Sequence, residues 1–190
     1  MERLFSPWRL RYVAAPHPQR GCVFCRAIRA RDDRLSLVLH RGRTHFVILN
    51  KFPYSNGHLM VVPRAHLSSP AESEPEALLE MMSLVVRAEE ALRRAYRPEG
   101  INLGMNLGRS AGAGITGHYH LHMVPRWNGD TNFMSVVHAT RVIPEALGTA
   151  WRRLRPLLNA GPGVVEMRGK RLQARPAARG RRPAPKRVRG

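Results

Sequence analysis

Histidine occupies positions 118, 120 and 122 within GHYHLHMVPRW, residues 117–127. On an extended strand alternate side chains share a face. His118, His120 and His122 therefore stand in a row about 6.5–7 Å apart, while Tyr119, Leu121 and Met123 turn toward a core. Three unpaired imidazoles are costly to bury, so the histidine face must be wet, ligand-bound or metal-bound. Three readings fit it: surface histidines without a task, a metal held by imidazoles alone, or phosphate chemistry. In the last, a neutral ring nitrogen attacks phosphorus and a neighbouring ring donates to a phosphoryl oxygen or protonates a leaving group. The loop just upstream, RSAGAGITG (109–117), favours phosphate, because its small residues let backbone N–H groups approach an anion closely.

A second cluster is CVFC, whose Cys22 and Cys25 are the only cysteines in the chain. Such a pair reads as a metal knuckle or a redox pair rather than a structural disulfide. No strand pattern precedes it and no clear helical period follows, which speaks against a redox motif. A closed tetrahedral zinc site would need two further ligands; without them the pair is two reduced thiols in a loop. His17, His40, His45 and His138 stand in no comparable constellation and read as surface or satisfied histidines.

The elements that position these residues follow from periodicity. Residues 1–34 look irregular, and SLVLH (36–40) and HFVILN (45–50) read as a hairpin. FPYSNG is a turn cued by Asn56-Gly57, and HLMVVP (58–63) is a third strand ended by Pro63. From Ser73 to Tyr96 apolar residues recur every three or four positions, predicting an amphipathic helix capped by Ser73 or a neighbour. INLGMNLG (101–108) and HYHLHMVP (118–125) are further strands, and 144–159 a second, shorter helix. This order predicts an α+β fold, a five-stranded antiparallel sheet with two helices. The expected division is an N-terminal segment 1–34 carrying the knuckle, a catalytic domain 35–163, and a tail 164–190.

Of the net charge of +19, ten positive residues without an acid lie between Arg168 and Gly190, leaving +9 on the rest. That tail has too little apolar surface to offset its ordering entropy and is expected to be disordered. The hydrophobic share of 43% is enough for a core without disulfides. No apolar run nears the roughly 20 residues of a membrane span. Glu2 and Pro7-Trp8 do not suit a signal peptide. A cytoplasmic protein is the expectation.

HYHLHMV resembles the His-φ-His-φ-His-φ-φ signature of the histidine triad superfamily of nucleotide hydrolases and transferases. SPWR, CVFC, LNKFPYSNGHLMVVPRAH, GMNLGRSAGAG and VPRWNGDTNF are similar to its bacterial branch containing diadenosine tetraphosphate phosphorylases. The likeness spans roughly residues 4–145. It implies that His120 attacks the α-phosphorus to form a nucleotidyl-histidine, and that His122 contacts the phosphate or bridging oxygen. His118 would orient the site or ligate zinc. Asn50 matches a ribose contact, His58 an upstream histidine that orients the triad, and Asn106 an asparagine near the phosphate. Many relatives carry Gln or Ser three or four residues before the first triad histidine. Here Gly114 and Ile115 stand there, leaving loop N–H groups around Gly112 and Gly114, Ser110 and Thr116 as substitutes. Arg126 and Trp127, by position, could shape a second anion subsite.

The resemblance further implies a structural zinc on Cys22, Cys25, His66 and His118, no organic cofactor, and a homodimer. Its substrates would be purine nucleotides or dinucleoside polyphosphates, with inorganic phosphate or water as acceptor. Two rival readings are an adenosine phosphoramidase and a nucleotide-sensing protein whose basic tail contacts nucleic acid nonspecifically.

Overall fold

The structure, a computed structural model, describes residues 21–130 and 145–160. The basic tail, the SPWR segment and residues 131–144 lie outside the described residues. Among the described residues five strands are present: β1 (Val38–Arg41), β2 (His45–Leu49), β3 (Leu59–Pro63), β4 (Gly100–Gly104) and β5 (Leu121–Arg126). They form one sheet in the order β1-β2-β3-β5-β4, and every neighbouring pair is antiparallel. The fold is α+β, as expected.

Among the described residues three helices accompany the sheet rather than two: α1 (Val23–Arg29), α2 (Pro75–Tyr96) and α3 (Leu147–Asn159). The additional one, α1, spans seven residues and buries only Phe24. Two turns of helix are too short for a clear period, so the segment reads as irregular. In α2, Pro75 opens the first turn and Arg93 and Arg94 lie in the last, as the helix dipole prefers. The helix stops because Arg97 adopts a left-handed φ of 48° and its N–H closes on the Arg93 carbonyl. Ser73 does not cap α2; Glu74 holds the N-cap position without a side-chain bond, and the Ser73 hydroxyl turns to Tyr119 instead.

Alternation divides the strand side chains between two faces. Leu39, Val47, Leu49, Leu59, Val61, Leu121 and Met123 pack against α2 and α3, whose contributions include Val85, Ala88, Leu92, Leu154 and Leu158. The other face carries Val38, Phe46, Ile48, Met60 and Val62, covered in part by Phe24. Fully burying one such aliphatic side chain contributes about 1.5–3 kcal/mol, so both faces hold the strand register. β5 lies between β3 and β4, with Met60 opposite His122 on one side and Gly104 opposite it on the other. Since directly paired residues share a face, His122 and Met60 project to the face that Phe24 covers, away from α2 and α3. No helix among the described residues is long and apolar enough to cross a membrane.

Candidate active site

The regular ladder of β5 begins at Leu121, so of the three histidines only His122 sits within it. His118 and His120 precede the strand, yet the alternation persists: Tyr119 is buried among the α2-side core, while the rings of His118 and His120 meet Phe24 at centroid distances of 5.2 and 4.9 Å. The row expected from spacing is formed, with the His120 and His122 rings 4.8 Å apart and edge-on. His118 and His120 are buried and His122 is half-buried.

Hydrogen bonds assign each ring a different role. His120 Nδ1 lies 3.0 Å from the His118 carbonyl oxygen. A carbonyl only accepts, so Nδ1 carries the proton and donates, and the Nε2 lone pair is left for other use. Burial holds this imidazole below the ordinary histidine range, which keeps it neutral near pH 7, while the bond to His118 opposes that shift.

His122 is set from the other side. The Tyr54 backbone N–H donates to His58 Nδ1 at 3.0 Å, so a neutral His58 carries its proton on Nε2. His58 Nε2 lies 3.0 Å from His122 Nδ1 and donates to it, which leaves His122 with its own proton on Nε2. The triad thus presents one nitrogen lone pair beside one N–H donor. His58 is buried and stacked on the Tyr54 ring at 4.9 Å. Asn50, at the end of β2, accepts the Phe52 N–H on Oδ1 and turns Nδ2 toward His58 and Met60.

His118 belongs to a separate cluster. Its Nε2 donates to the Pro63 carbonyl at 2.9 Å, which fixes Nδ1 as the unprotonated nitrogen. That nitrogen lies 3.3 Å from Cys22 Sγ and 3.7 Å from Cys25 Sγ, and His66 Nδ1 lies 3.3 Å from Cys25 Sγ. The four ligand atoms all fall within 4.8 Å of one another. Tetrahedral zinc with Zn–S near 2.3 Å and Zn–N near 2.0 Å separates sulfur from nitrogen by about 3.5 Å, so the four residues fit a closed Cys2His2 zinc site. Burial of His118, opposed by its bond to Pro63, lowers its pKa and keeps the ring in the form a metal needs. Burial and the neighbouring Cys22 push the Cys25 thiol up.

The small-residue loop is tied to the triad at both ends. It leaves β4 at Gly104, opposite His122, and returns at Gly117, whose position faces the His66 ring. Gly108 and Gly112 take φ of 80° and 85° on either side of the Arg109–Ala111 turn. Ser110, Gly112, Gly114 and Thr116 are exposed, Asn106 is half-buried, and Ile115 packs into the Phe24 cluster. Arg126 shares the His122 face of β5 but donates to Asp130 from Nε and Nη2, at 2.5 and 2.8 Å, and to Asn102 from Nη1 at 3.2 Å. Its charge is spent locally rather than brought to the triad. Trp127 is half-buried and its carbonyl closes the turn to Asp130.

Phe24 and Tyr54 were not foreseen as parts of the site. Phe24 lies between the two cysteines and Tyr54 four residues before His58, so proximity to recognised motifs was the available signal.

A family model for the HIT domain matches residues 34–129, just over half of the chain. The chain is 35% identical over 161 residues to an AP-4-A phosphorylase of Mycobacterium tuberculosis, covering 81% of this chain and 83% of that one. It is also 31% identical to an uncharacterized HIT-like protein of Saccharolobus solfataricus, covering 60% and 79% of the two chains. Among solved structures, a Zn-bound histidine triad family protein from Mycobacterium smegmatis superposes with a TM-score of 0.57 at 29% identity, over 73% of this chain and 93% of that one. A hypothetical histidine triad nucleotide-binding protein from Sulfolobus tokodaii gives 0.58 at 27% identity, over 72% and 91%. With its triad, its antiparallel sheet and these matches in agreement, the chain belongs to the histidine triad (HIT) family.

Proposed function

We propose that this protein cleaves dinucleoside polyphosphates such as diadenosine tetraphosphate by nucleotidyl transfer through His120, with inorganic phosphate as acceptor. The observation that carries the reading is the His120 ring, neutral and buried, its Nδ1–H held by the His118 carbonyl and its Nε2 lone pair beside the N–H donor of His122. The likeness to an AP-4-A phosphorylase supports phosphate over water as the acceptor.

In the first displacement the Nε2 lone pair forms an N–P bond to the α-phosphorus as the bond to the bridging oxygen breaks. ATP leaves, and AMP stays on the imidazole. A phosphate oxygen then attacks the same phosphorus, the N–P bond breaks and ADP departs; water in that role would release AMP. Splitting one transfer into two displacements is covalent catalysis. As His120 gains positive charge, its Nδ1–H bond to the His118 carbonyl strengthens. The His122 N–H and N–H groups of the 108–116 loop stabilise charge on the phosphoryl oxygens. Asn50 serves the ribose, and Asn106, Ser110 and Thr116 serve the phosphates. Zinc on Cys22, Cys25, His66 and His118 is structural in this reading, fixing α1 and the His118 ring against the sheet.

Product analysis with diadenosine tetraphosphate tests the proposal. ATP plus ADP, formed only when phosphate is added, is the expected result. ATP plus AMP regardless of phosphate would make the protein a hydrolase, and no cleavage would sink the reading. Removing residues 168–190 should leave turnover near wild type; loss of the main activity would favour the nucleic-acid-associated alternative instead. The proposed homodimer has exposed apolar side chains to cover, Leu79, Met82 and Val86 on α2 and Leu103 on β4; light scattering on the full chain reports it.

A further inference from the structure

His118 and His120 precede the β5 ladder, so strand pairing does not hold the residues that must be placed most accurately. Part of the restraint comes from the near side: the Tyr119 N–H donates to the Leu67 carbonyl at 2.8 Å and His118 donates to Pro63 at 2.9 Å. The rest comes from the opposite face, through the side chain between the two histidines. The Tyr119 ring passes into the α2-side core, where its hydroxyl meets His45 Nε2 at 3.0 Å and Ser73 Oγ at 2.7 Å. His45 Nδ1 meets Thr44 Oγ1 at 3.0 Å, and Thr44 Oγ1 meets the Glu80 carboxylate, which also accepts the Arg43 and Thr44 backbone N–H groups at 2.6 Å each.

Donors and acceptors in this chain can be assigned from one end. A charged Glu80 only accepts, so the Thr44 hydroxyl donates to it and accepts from His45 Nδ1–H. His45 Nε2 must then accept from the Tyr119 hydroxyl, whose oxygen accepts from Ser73. With His45 neutral, the form its burial favours, every proton is used once and Glu80 is satisfied. The chain links α2 (Glu80), the segment before it (Ser73) and β2 (His45) to a single atom of the 118–120 peptide. Tyr119 and His45 are each 1% exposed, so the bond between them is closed to bulk water.

From this we infer that Tyr119 and His45 are positioning residues for the nucleophile: the relay anchors the peptide from behind, so that the His118 carbonyl and the His120 ring stay in register with His122. The inference rests on the reading of His120 as the nucleophile. A displacement of about 1 Å at a reacting atom can cost on the order of a hundredfold in rate. Tyr119→Phe removes the anchoring oxygen and leaves the ring, so kcat should fall by roughly tenfold or more with KM little changed.

His45 permits a sharper comparison. Glutamine can place its carbonyl oxygen where Nε2 accepts from Tyr119, whereas asparagine reaches only the Nδ1 position. His45→Gln should therefore recover most of the kcat that His45→Asn loses, although both remove the imidazole. The double variant Tyr119→Phe/His45→Asn should lose no more than either single one, as members of one unit do. Nitrogen-15 spectra of the His120 ring give a readout independent of turnover. The Nδ1–H tautomer should be uniform in the wild type and mixed in Tyr119→Phe, under conditions where circular dichroism shows both folded.

His120→Ala serves as the reference. If it is inactive while Tyr119→Phe and His45→Asn keep wild-type kcat, or lose it additively, the relay does not position the nucleophile and the reading of His120 stands. If His120→Ala turns over normally, the nucleotidyl-transfer reading fails. The ring spectra then decide positioning alone, and an unchanged tautomer in Tyr119→Phe overturns it.

Discussion

Two Asn-Gly turns offer a controlled test of what holds β3, and with it His58, in place. Gly57 and Gly129 take nearly equal left-handed φ, 76° and 74°, but differ in surroundings. A Cβ on Gly129 would meet none of the described residues within 4 Å, while one on Gly57 would come within 2.7 Å of the Tyr96 ring and 3.0 Å of Leu92 Cδ2. The Tyr96 ring cannot easily swing aside, because its hydroxyl is held by Glu145 at 2.5 Å and Arg153 lies over its face. Left-handed strain on alanine costs about 1–2 kcal/mol, and overpacking a filled core adds about 1–3 kcal/mol. Gly129→Ala should thus cost about 1–2 kcal/mol and Gly57→Ala about 2–5 kcal/mol.

With a urea m-value near 2 kcal/mol/M, the midpoints should fall by roughly 0.5–1 M and 1–2.5 M. Tryptophan fluorescence is a suitable probe, since the Trp151 indole donates to the Val38 carbonyl between α3 and β1 and must leave that bond on unfolding. Displacement of Gly57 also shifts its neighbour His58, so Gly57→Ala should lose turnover that Gly129→Ala keeps. Equal midpoint shifts in the two variants would refute the packing argument, and unchanged turnover in Gly57→Ala would refute the coupling to His58.

Two further expectations concern the metal and pH. Elemental analysis should find about one zinc per chain, lost in Cys22→Ser, and chelation should lower Tm by roughly 5–10 °C; full zinc content in Cys22→Ser would contradict the proposed ligand set. His45 is held below the ordinary histidine range by burial, with the charge of Glu80 opposing the shift. A depressed folded-state pKa means that stability is complete above about pH 6.5 and is lost as pH falls below it. Burial would raise the Glu80 pKa, but its bonds from Thr44 and Arg43 outweigh that and hold it down, so its contribution is lost in the same direction at lower pH. Melting curves from pH 7.5 to 5.5 should therefore fall more steeply for the wild type than for His45→Gln; parallel curves would count against a buried neutral His45.

The strands and α2 were legible because each runs long enough for its period to show. The row of histidines was legible for the same reason, although alternation placed His118 and His120 on a face without placing them in a ladder. Partners brought in by tertiary structure were hidden. Nothing in the spacing of His45 and Tyr119, 74 positions apart, indicates that they touch. Ser73 looked like a helix cap because its position before α2 suits one, yet a buried hydroxyl partner claims it. The engagement of Arg126 with Asp130 illustrates the reverse limit, a charge near the right strand whose reach is decided by a residue four positions on.

The central claim is a nucleotide bound covalently to His120, and mass spectrometry of acid-sensitive adducts tests it most directly. Wild-type protein mixed with diadenosine tetraphosphate without phosphate, then quenched at alkaline pH, should carry one AMP on the peptide containing His120. The adduct should vanish when phosphate is added, with ADP appearing in equal amount. An adduct on another residue, or turnover with no adduct at any time point, would contradict the account.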